Sequence, residues 1–266
     1  MDPILCRELN GMTLDRLAVY LDVPAADVRA LYQELLDDTE FLGEVNERIT
    51  FARQYFRKGV CRHEGVDSVD WFAIQRITLY VLVRLLRPSV VLETGVFYGG
   101  TTMFILNALR RNDHGTLISI DLPGQLTDED MRHHLVGDSE VVPQGLDLGF
   151  LVHPAQTGRW EPIQGDSRLE IPKIDRTIGF YNHDSDHSYD FIKKEMALVW
   201  PKLSQDALIM ADDLDWSNGF FSFCDEKRLY PLIITDNGKS GLLARTGIVK
   251  RDHPMGRRAD VVGRAL

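Results

Sequence analysis

The sequence has few cysteines, and they lie far apart. Cys6, Cys61 and Cys224 are the only three in 266 residues. An odd number at such wide spacing excludes a disulfide framework and does not match the paired spacing of a zinc site. Sparse, unpaired cysteine is typical of a reducing compartment, so we expect a cytoplasmic protein.

Long apolar runs and an excess of positive charge are also lacking. No apolar stretch approaches the roughly 20 residues of a transmembrane helix, and the acidic start of the chain does not resemble a signal peptide. The net charge of −10 disfavours nucleic acid or an anionic membrane as a partner. With 44% hydrophobic and 26% charged residues, the composition is that of an ordinary globular protein.

One stretch organises the rest of the chain, and it covers residues 89–102. Val90, Val91 and Leu92 form a short apolar run, typical of a buried parallel strand. Gly95 and Gly99 then allow a sharp turn and the close approach of a ligand, and a helix follows. Strand, glycine-rich turn and helix indicate the first βα unit of a nucleotide-binding α/β fold. The alternative is a tight turn whose glycines serve packing alone.

A second strand, residues 116–121, ends in Asp121, about twenty residues beyond Gly99. A carboxylate at this distance can accept from both hydroxyls of a ribose. The alternative is that Asp121 caps the turn that follows. Later strand candidates cover residues 160–165, 176–184, 207–213, 229–235 and 242–249. We expect a turn at residues 203–206 and a hairpin turn at Asn237-Gly238.

The N-terminal third reads as helical. Residues 13–38 carry apolar positions at helical spacing around a turn at Pro24, in an arrangement similar to a helix-turn-helix. The second helix is acidic, whereas a DNA-reading helix should be basic at its start. We therefore interpret residues 1–67 as an accessory helical subdomain, a dimer contact or substrate lid, and residues 68–266 as the main domain. A helix over 69–86 precedes the first strand.

Three acids end neighbouring predicted strands: Asp184, Asp212 and Asp213. Ligands of an open α/β sheet bind at this carboxyl edge, and clustered carboxylates repel unless a cation neutralises them. Hard oxygen ligands favour Mg²⁺ or Ca²⁺ over zinc, so we expect Mg²⁺ or another hard divalent cation. His187, three residues after Asp184, is a candidate general base for a substrate hydroxyl. The alternative is that the acids cap helices and His187 is an ordinary polar residue.

Together these motifs resemble those of the class I S-adenosylmethionine (SAM) methyltransferases. The spacing Glu93-x-Gly95-x-x-x-Gly99 is similar to their first motif. Residues 183–189, His-Asp-Ser-Asp-His-Ser-Tyr, and the pair Asp212-Asp213 resemble motifs of the metal-dependent macrocin-type and catechol-type O-methyltransferases. The resemblance covers residues 88–249. Ser185 replaces the usual glycine, and Ser204-Gln205 replaces a Gly-Gly turn.

The resemblance implies a Rossmann-like, mostly parallel seven-stranded sheet with an antiparallel last strand. It implies a SAM site formed by Glu93, Gly95, Phe97, Gly99, Thr101, Asp121, Asp166, Ser167 and Asp184. Asp166 or Ser167 would bond the adenine, although a cap of the next turn explains Asp166 as well. It also implies Mg²⁺ held by Asp184, Asp212 and Asp213, with His187 as base.

The expected function is Mg²⁺-assisted methyl transfer to a hydroxyl of a small molecule, a sugar or other natural-product intermediate, in a homo-oligomeric enzyme. Trp216 and Asn218 follow the acid pair and could line the binding site of the methyl acceptor, although helix packing explains Trp216 equally well. The alternatives are a metal-independent N-methyltransferase, a hydroxylase-type relative, and a SAM-binding regulator that associates with DNA.

Overall fold

The computed structural model describes residues 3–56, 74–122, 146–239 and 242–252. A seven-stranded sheet lies between two layers of helices. The strands are β1 (Val90–Thr94), β2 (Thr116–Asp121), β3 (Trp160–Gln164), β4 (Ile178–His183), β5 (Leu203–Ala211), β6 (Leu232–Lys239) and β7 (Leu242–Lys250). Their order across the sheet is β3-β2-β1-β4-β5-β7-β6.

The sheet is mostly parallel. Strands β1 to β5 pair in parallel, while β7 is antiparallel to both of its neighbours, β5 and β6. This confirms the predicted Rossmann-like sheet with an antiparallel last strand. Strand β1 is buried along its whole length, as its apolar run predicts. The strand order reverses at β1 and β4, so their carboxyl ends flank the crevice in which such folds bind ligands.

The N-terminal helices and the two helices around β1 share one core. The helices are α1 (Pro3–Leu21), α2 (Ala25–Leu36), α3 (Thr39–Phe56), α4 (Ile74–Leu86) and α5 (Thr102–Asn112). Their apolar side chains pack with one face of the sheet, represented by Val91, Phe180 and Leu208. The predicted helical segment is therefore part of the central packing on that side.

The opposite face is covered by helices from the second half of the chain. These are the short α6 (Ser167–Glu170), α7 (Tyr189–Val199) and α8 (Gly219–Lys227). Leu92, Tyr181 and Ile209 point to this side, one residue away from the side chains that face the other core. This alternation follows from the two-residue period of a strand.

Two predicted turns are wrong in position. Residues 203–206 begin β5, where Leu203 pairs with Ile178 and the pairing register shifts before Phe180. Asn237-Gly238 lies inside β6, where the register with β7 shifts between Asp236 and Lys239. In both places a polar or glycine-containing pair is accommodated as an irregularity within the ladder.

The division that the sequence predicts between residues 67 and 68 lies outside the described residues, as does the first part of the helix predicted over 69–86. None of the described helices is long and apolar enough to cross a membrane.

Candidate cofactor and methyl-transfer site

The turn after β1 is built for the close approach of backbone and ligand. Gly95 has φ +84°, and a Cβ placed there would lie 1.9 Å from the carbonyl oxygen of Asp184. The amide of Asp184 in turn donates to the carbonyl of Thr94 at 2.8 Å. The turn after β1 and the turn after β4 are therefore in direct contact, and a side chain at position 95 would separate them. A cradle that only glycine can line fits a cofactor lying along the backbone.

Glu93 supports this turn from inside the fold. It is fully buried, and its carboxylate accepts from the hydroxyls of Thr101 at 2.9 Å, Thr102 at 2.8 Å and Ser119 at 2.8 Å. Burial raises the pKa of Glu93 to about 7, although the three hydroxyl donors oppose the shift. The sequence predicts cofactor contacts for Glu93 and Thr101, but the structure turns both side chains toward each other, beneath the turn.

Asp121 holds the same turn from the end of β2. Its Oδ2 accepts from the amides of Val96 and Phe97, each at 2.7 Å, and its Oδ1 from the amide of Leu122 at 2.7 Å. Burial raises the pKa of this carboxyl, and the three amide donors oppose the shift. The amide of Leu122 shows that the predicted capping alternative is present. The ribose role stays a prediction. Asp121 lies beside the glycine-rich turn, which is where a ribose-binding acid would have to be.

Phe97 and Gly99 connect the turn to a segment that covers it. Phe97 has φ +49°, and its carbonyl accepts from the amide of Gly149 at 2.8 Å. The neighbouring carbonyl of Tyr98 accepts from the amide of Leu151 at 2.8 Å. A Cβ at Gly99 would lie 2.9 Å from the side chain of Val152. The segment of residues 149–152, which precedes β3, therefore packs directly on the glycine-rich turn.

The two residues predicted on the adenine side have internal partners. Asp166 caps α6 by accepting from the amide of Arg168 at 2.9 Å, and it forms an ion pair with the Arg168 guanidinium at 2.5 Å. Ser167 is buried and donates to Glu195. The capping alternative for Asp166 is therefore what the structure shows, and an adenine contact for either residue stays a prediction.

His187 lies at the carboxyl edge beside Asp213. Its Nε2 is 3.7 Å from Oδ2 of Asp213, and its side chain is 14% exposed. Burial lowers the pKa of His187 to about 4, although the Asp213 carboxylate opposes the shift. The imidazole is therefore neutral at pH 7 and able to accept a proton. The Trp216 ring lies 5.8 Å from it and is 70% exposed, so packing within a helix does not explain Trp216.

The three acids do not converge as the predicted ligand set requires. Asp212 accepts from the Gln75 amide at 2.5 Å on one carboxylate oxygen and from the Thr246 hydroxyl at 2.6 Å on the other. Asp213 has φ +48° and faces His187. Within the described residues, which include Asp184, no three His, Cys, Asp or Glu side chains are grouped to hold a metal ion. The arrangement thus does not fit a Mg²⁺ site.

The family model described as a methyltransferase domain matches residues 92–214. This range begins in β1 and ends just after the acid pair, so it contains the turns described above. Residues 92–214 therefore match a methyltransferase domain. No curated protein matches the chain in sequence.

Solved structures share the fold of the methyltransferase domain. The O-methyltransferase TomG from Streptomyces achromogenes, involved in tomaymycin synthesis and solved with SAM, is 15% identical, with a TM-score of 0.53 over 77% of this chain and 89% of TomG. An O-methyltransferase from Bacillus cereus, solved with S-adenosylhomocysteine (SAH), is 13% identical, with a TM-score of 0.52 over 85% of this chain and 97% of that chain. At such low identity the likeness shows the fold alone.

Sequence reasoning missed several side chains that form hydrogen bonds to the acids and strand ends of the site. These are Gln75 and Thr246 on Asp212, and a buried group around Glu195. Glu195 carries one available signal, since a charged residue on the apolar side of an amphipathic helix needs a partner. No local pattern identifies Gln75 or Thr246, because both are distant in sequence from the acid that they contact.

Proposed function

We propose that the protein transfers a methyl group from SAM to a hydroxyl of a small molecule, with His187 as the general base. The observation that carries this proposal is a neutral, mostly buried imidazole at the carboxyl edge, 3.7 Å from a carboxylate, on the turn after β4 that contacts Gly95. A neutral histidine can accept a proton, and the Asp213 carboxylate favours the protonated form against the burial that lowers the pKa of His187.

The reaction needs little beyond positioning and proton removal. SAM supplies a methyl group on a sulfonium, and the bond from sulfur to that carbon breaks as the acceptor oxygen bonds to it. His187 takes the hydroxyl proton, and Asp213 stabilises the resulting imidazolium. The contact between Gly95 and the Asp184 carbonyl fixes the base-bearing turn against the cofactor turn, which supports the orientation that in-line transfer needs.

The surface beside His187 favours a ring-shaped methyl acceptor. Trp216 presents a largely exposed indole 5.8 Å from the His187 ring, and Tyr189, also exposed, lies two residues after the base. Sugar and aromatic rings both pack well on such a surface. The relation of TomG to tomaymycin synthesis agrees with a natural-product intermediate, and we propose that class of acceptor.

The magnesium ion stays a prediction and has no step in this proposal, because Asp212 already uses both carboxylate oxygens on neutral donors. Activity assays with and without a chelator test the ion directly. Loss of activity in EDTA and its return with Mg²⁺ would show that the reaction needs a divalent cation and would contradict the metal-free step proposed here.

The proposal is tested by incubating the protein with SAM and a panel of sugar, phenol and amine acceptors, and measuring SAH and methylated product by mass spectrometry. We expect product from a hydroxyl acceptor. His187→Ala should lower turnover by roughly 10²–10⁴-fold, the usual contribution of a general base. SAH affinity should stay unchanged, because the imidazole is not proposed to contact the cofactor.

The matched control is His114→Ala, which removes an exposed histidine bonded to Ser89 at the opposite end of β1. It should keep full turnover. Normal turnover in His187→Ala would contradict the role of the base, and methylation of amines alone would contradict the choice of a hydroxyl acceptor.

A further inference from the structure

One buried carboxylate lies beneath the contact between the two turns. Glu195, on α7, is fully buried, and its Oε2 accepts from the Thr94 hydroxyl at 2.9 Å and the Tyr181 hydroxyl at 2.6 Å. The same oxygen lies 2.5 Å from Nδ1 of His183. The Ser185 hydroxyl donates to the carboxylate at 3.1 Å.

These donors come from the strand ends that form the site. Thr94 is the last residue of β1 and directly precedes Gly95. Ser185 directly follows Asp184, whose carbonyl lies against Gly95. Ser167, which also donates to Glu195, begins the helix after β3. A single side chain therefore links the ends of β1 and β4 to the segment that follows β3.

Burying the Glu195 carboxylate has an electrostatic cost. Burial raises the pKa of Glu195, but His183 and the hydroxyl donors more than offset the shift, so the pKa lies below its ordinary value. Glu195 is therefore ionised, and its carboxylate already accepts hydrogen bonds from these donors. Burying such a charge is seldom more stabilising than apolar packing of the same volume, so stability alone is a weak reason for it. Directional hydrogen bonds to several segments do what apolar packing cannot, because they fix relative positions.

We infer that Glu195 is a positioning residue that holds the cofactor turn after β1 in register with the turn after β4, through Thr94 on one side and Ser185 on the other. Each of these donors stands next to one of the two residues, Gly95 and Asp184, that touch across the site. Loosening either link lets the turns separate, and the cofactor loses a preformed cradle. The inference rests on the methyltransferase domain and does not depend on the acceptor.

Tyr181 offers a matched comparison. Its hydroxyl donates to the same oxygen of Glu195 at 2.6 Å and lies 3.0 Å from the Thr94 hydroxyl, but Tyr181 itself lies inside β4, two residues before the strand ends. Removing the hydroxyl costs a buried hydrogen bond of the same kind but leaves the bonds from Thr94 and Ser185 to Glu195 in place. A merely structural role for Glu195 predicts the same consequences for Thr94, Ser185 and Tyr181, whereas a positioning role separates Tyr181 from the other two.

The experiment measures SAH affinity by calorimetry and the melting temperature of Thr94→Val, Ser185→Ala and Tyr181→Phe in the full chain. We expect all three to melt below the wild type. The SAH dissociation constant should rise about tenfold in Thr94→Val and Ser185→Ala, which corresponds to ~1.4 kcal/mol, and stay within twofold in Tyr181→Phe. Thr94→Ser keeps the hydroxyl and should restore wild-type affinity.

Unchanged affinity in Thr94→Val and Ser185→Ala would overturn the inference, as would an equal loss in Tyr181→Phe. If Thr94→Val does not fold, the partly exposed Ser185 still decides between the two roles. A wild type that binds SAH but methylates no hydroxyl acceptor would refute the proposed function and leave this inference standing. A wild type that does not bind SAH would overturn both.

Discussion

Among single residues, Glu93 supports the glycine-rich turn from inside the fold. Its carboxylate takes three hydroxyl donors from α5 and β2 and is closed off from solvent. The start of α5 and the end of β1 are thereby fixed on either side of the glycine-rich turn. We therefore expect any effect of Glu93 on cofactor binding to be indirect, through the position of the turn.

The raised pKa of Glu93 predicts a specific dependence of stability on pH. Because its pKa goes from the ordinary 4.5 to about 7, the folded state holds a proton that the unfolded state releases between these values. The free energy of unfolding should therefore fall as pH rises from 4.5 to 7, by on the order of 3 kcal/mol from this group. Glu93→Gln should remove that part of the fall, which urea unfolding at pH 5 and pH 8 measures.

Glu40→Gln is the control, since this carboxylate is 75% exposed and should leave the difference between the two pH values as in the wild type. The same pH dependence in Glu93→Gln and wild type would contradict the burial argument.

At the level of elements, the turn between β1 and α5 depends on contacts from several sides. Asp121 binds its amides, the segment with Gly149 and Leu151 binds its carbonyls, and the Asp184 carbonyl lies against Gly95. Each contact comes from a different part of the chain. The turn is therefore preformed by its surroundings as well as by its glycines.

Gly95→Ala tests that close approach. The new Cβ would meet the Asp184 carbonyl at 1.9 Å, at a φ of +84° that strains any side chain. We expect a loss of several kcal/mol in stability, or a displaced turn with SAH affinity reduced more than tenfold. Thermal melting with and without SAH measures both effects.

Gly158→Ala is the matched control, because a Cβ there meets nothing within 4 Å. It should keep the wild-type melting temperature within a few degrees. Wild-type behaviour of Gly95→Ala would show that the two turns are farther apart than the structure places them.

Across the whole molecule, the N-terminal helices are joined to the sheet domain by packing and by polar contacts. Glu34 of α2 accepts from Arg84 of α4 at 2.7 and 2.8 Å, and Asp38 forms an ion pair with Arg111 at 2.6 Å. Phe41 of α3 packs edge to face on Phe104 of α5, with ring centroids 5.1 Å apart. The helices and the sheet domain should therefore unfold together.

Phe41→Ala tests this cooperativity. Removing a fully buried aromatic side chain should lower the free energy of unfolding by roughly 3–5 kcal/mol. Because the N-terminal helices and the sheet share one core, calorimetry should show a single unfolding transition, shifted to a lower temperature. Val19→Ala, at a 68% exposed position on α1, should leave it in place. Two transitions, of which only one moves, would show that the helical segment folds independently.

The sequence by itself determined the strands, the glycine-rich turn and the acids at the strand ends. Apolar runs such as Val90–Leu92 and the spacing of Gly95 and Gly99 act over a few residues, so the chain displays them locally. The predicted order of elements is confirmed because parallel strands with helical connections leave few alternatives. His187, the proposed base, and Asp213 are also brought together as strand-end positions predict.

Only the tertiary structure decided what each acid does. Glu93 turns inward, Asp166 caps a helix, and Asp212 is taken by Gln75 and Thr246, which lie far from it in the chain. The Glu195 network likewise combines segments that no local pattern connects. The physical reason is that a carboxylate's role depends on which donors reach it and how much water remains, and both are properties of packing between distant residues.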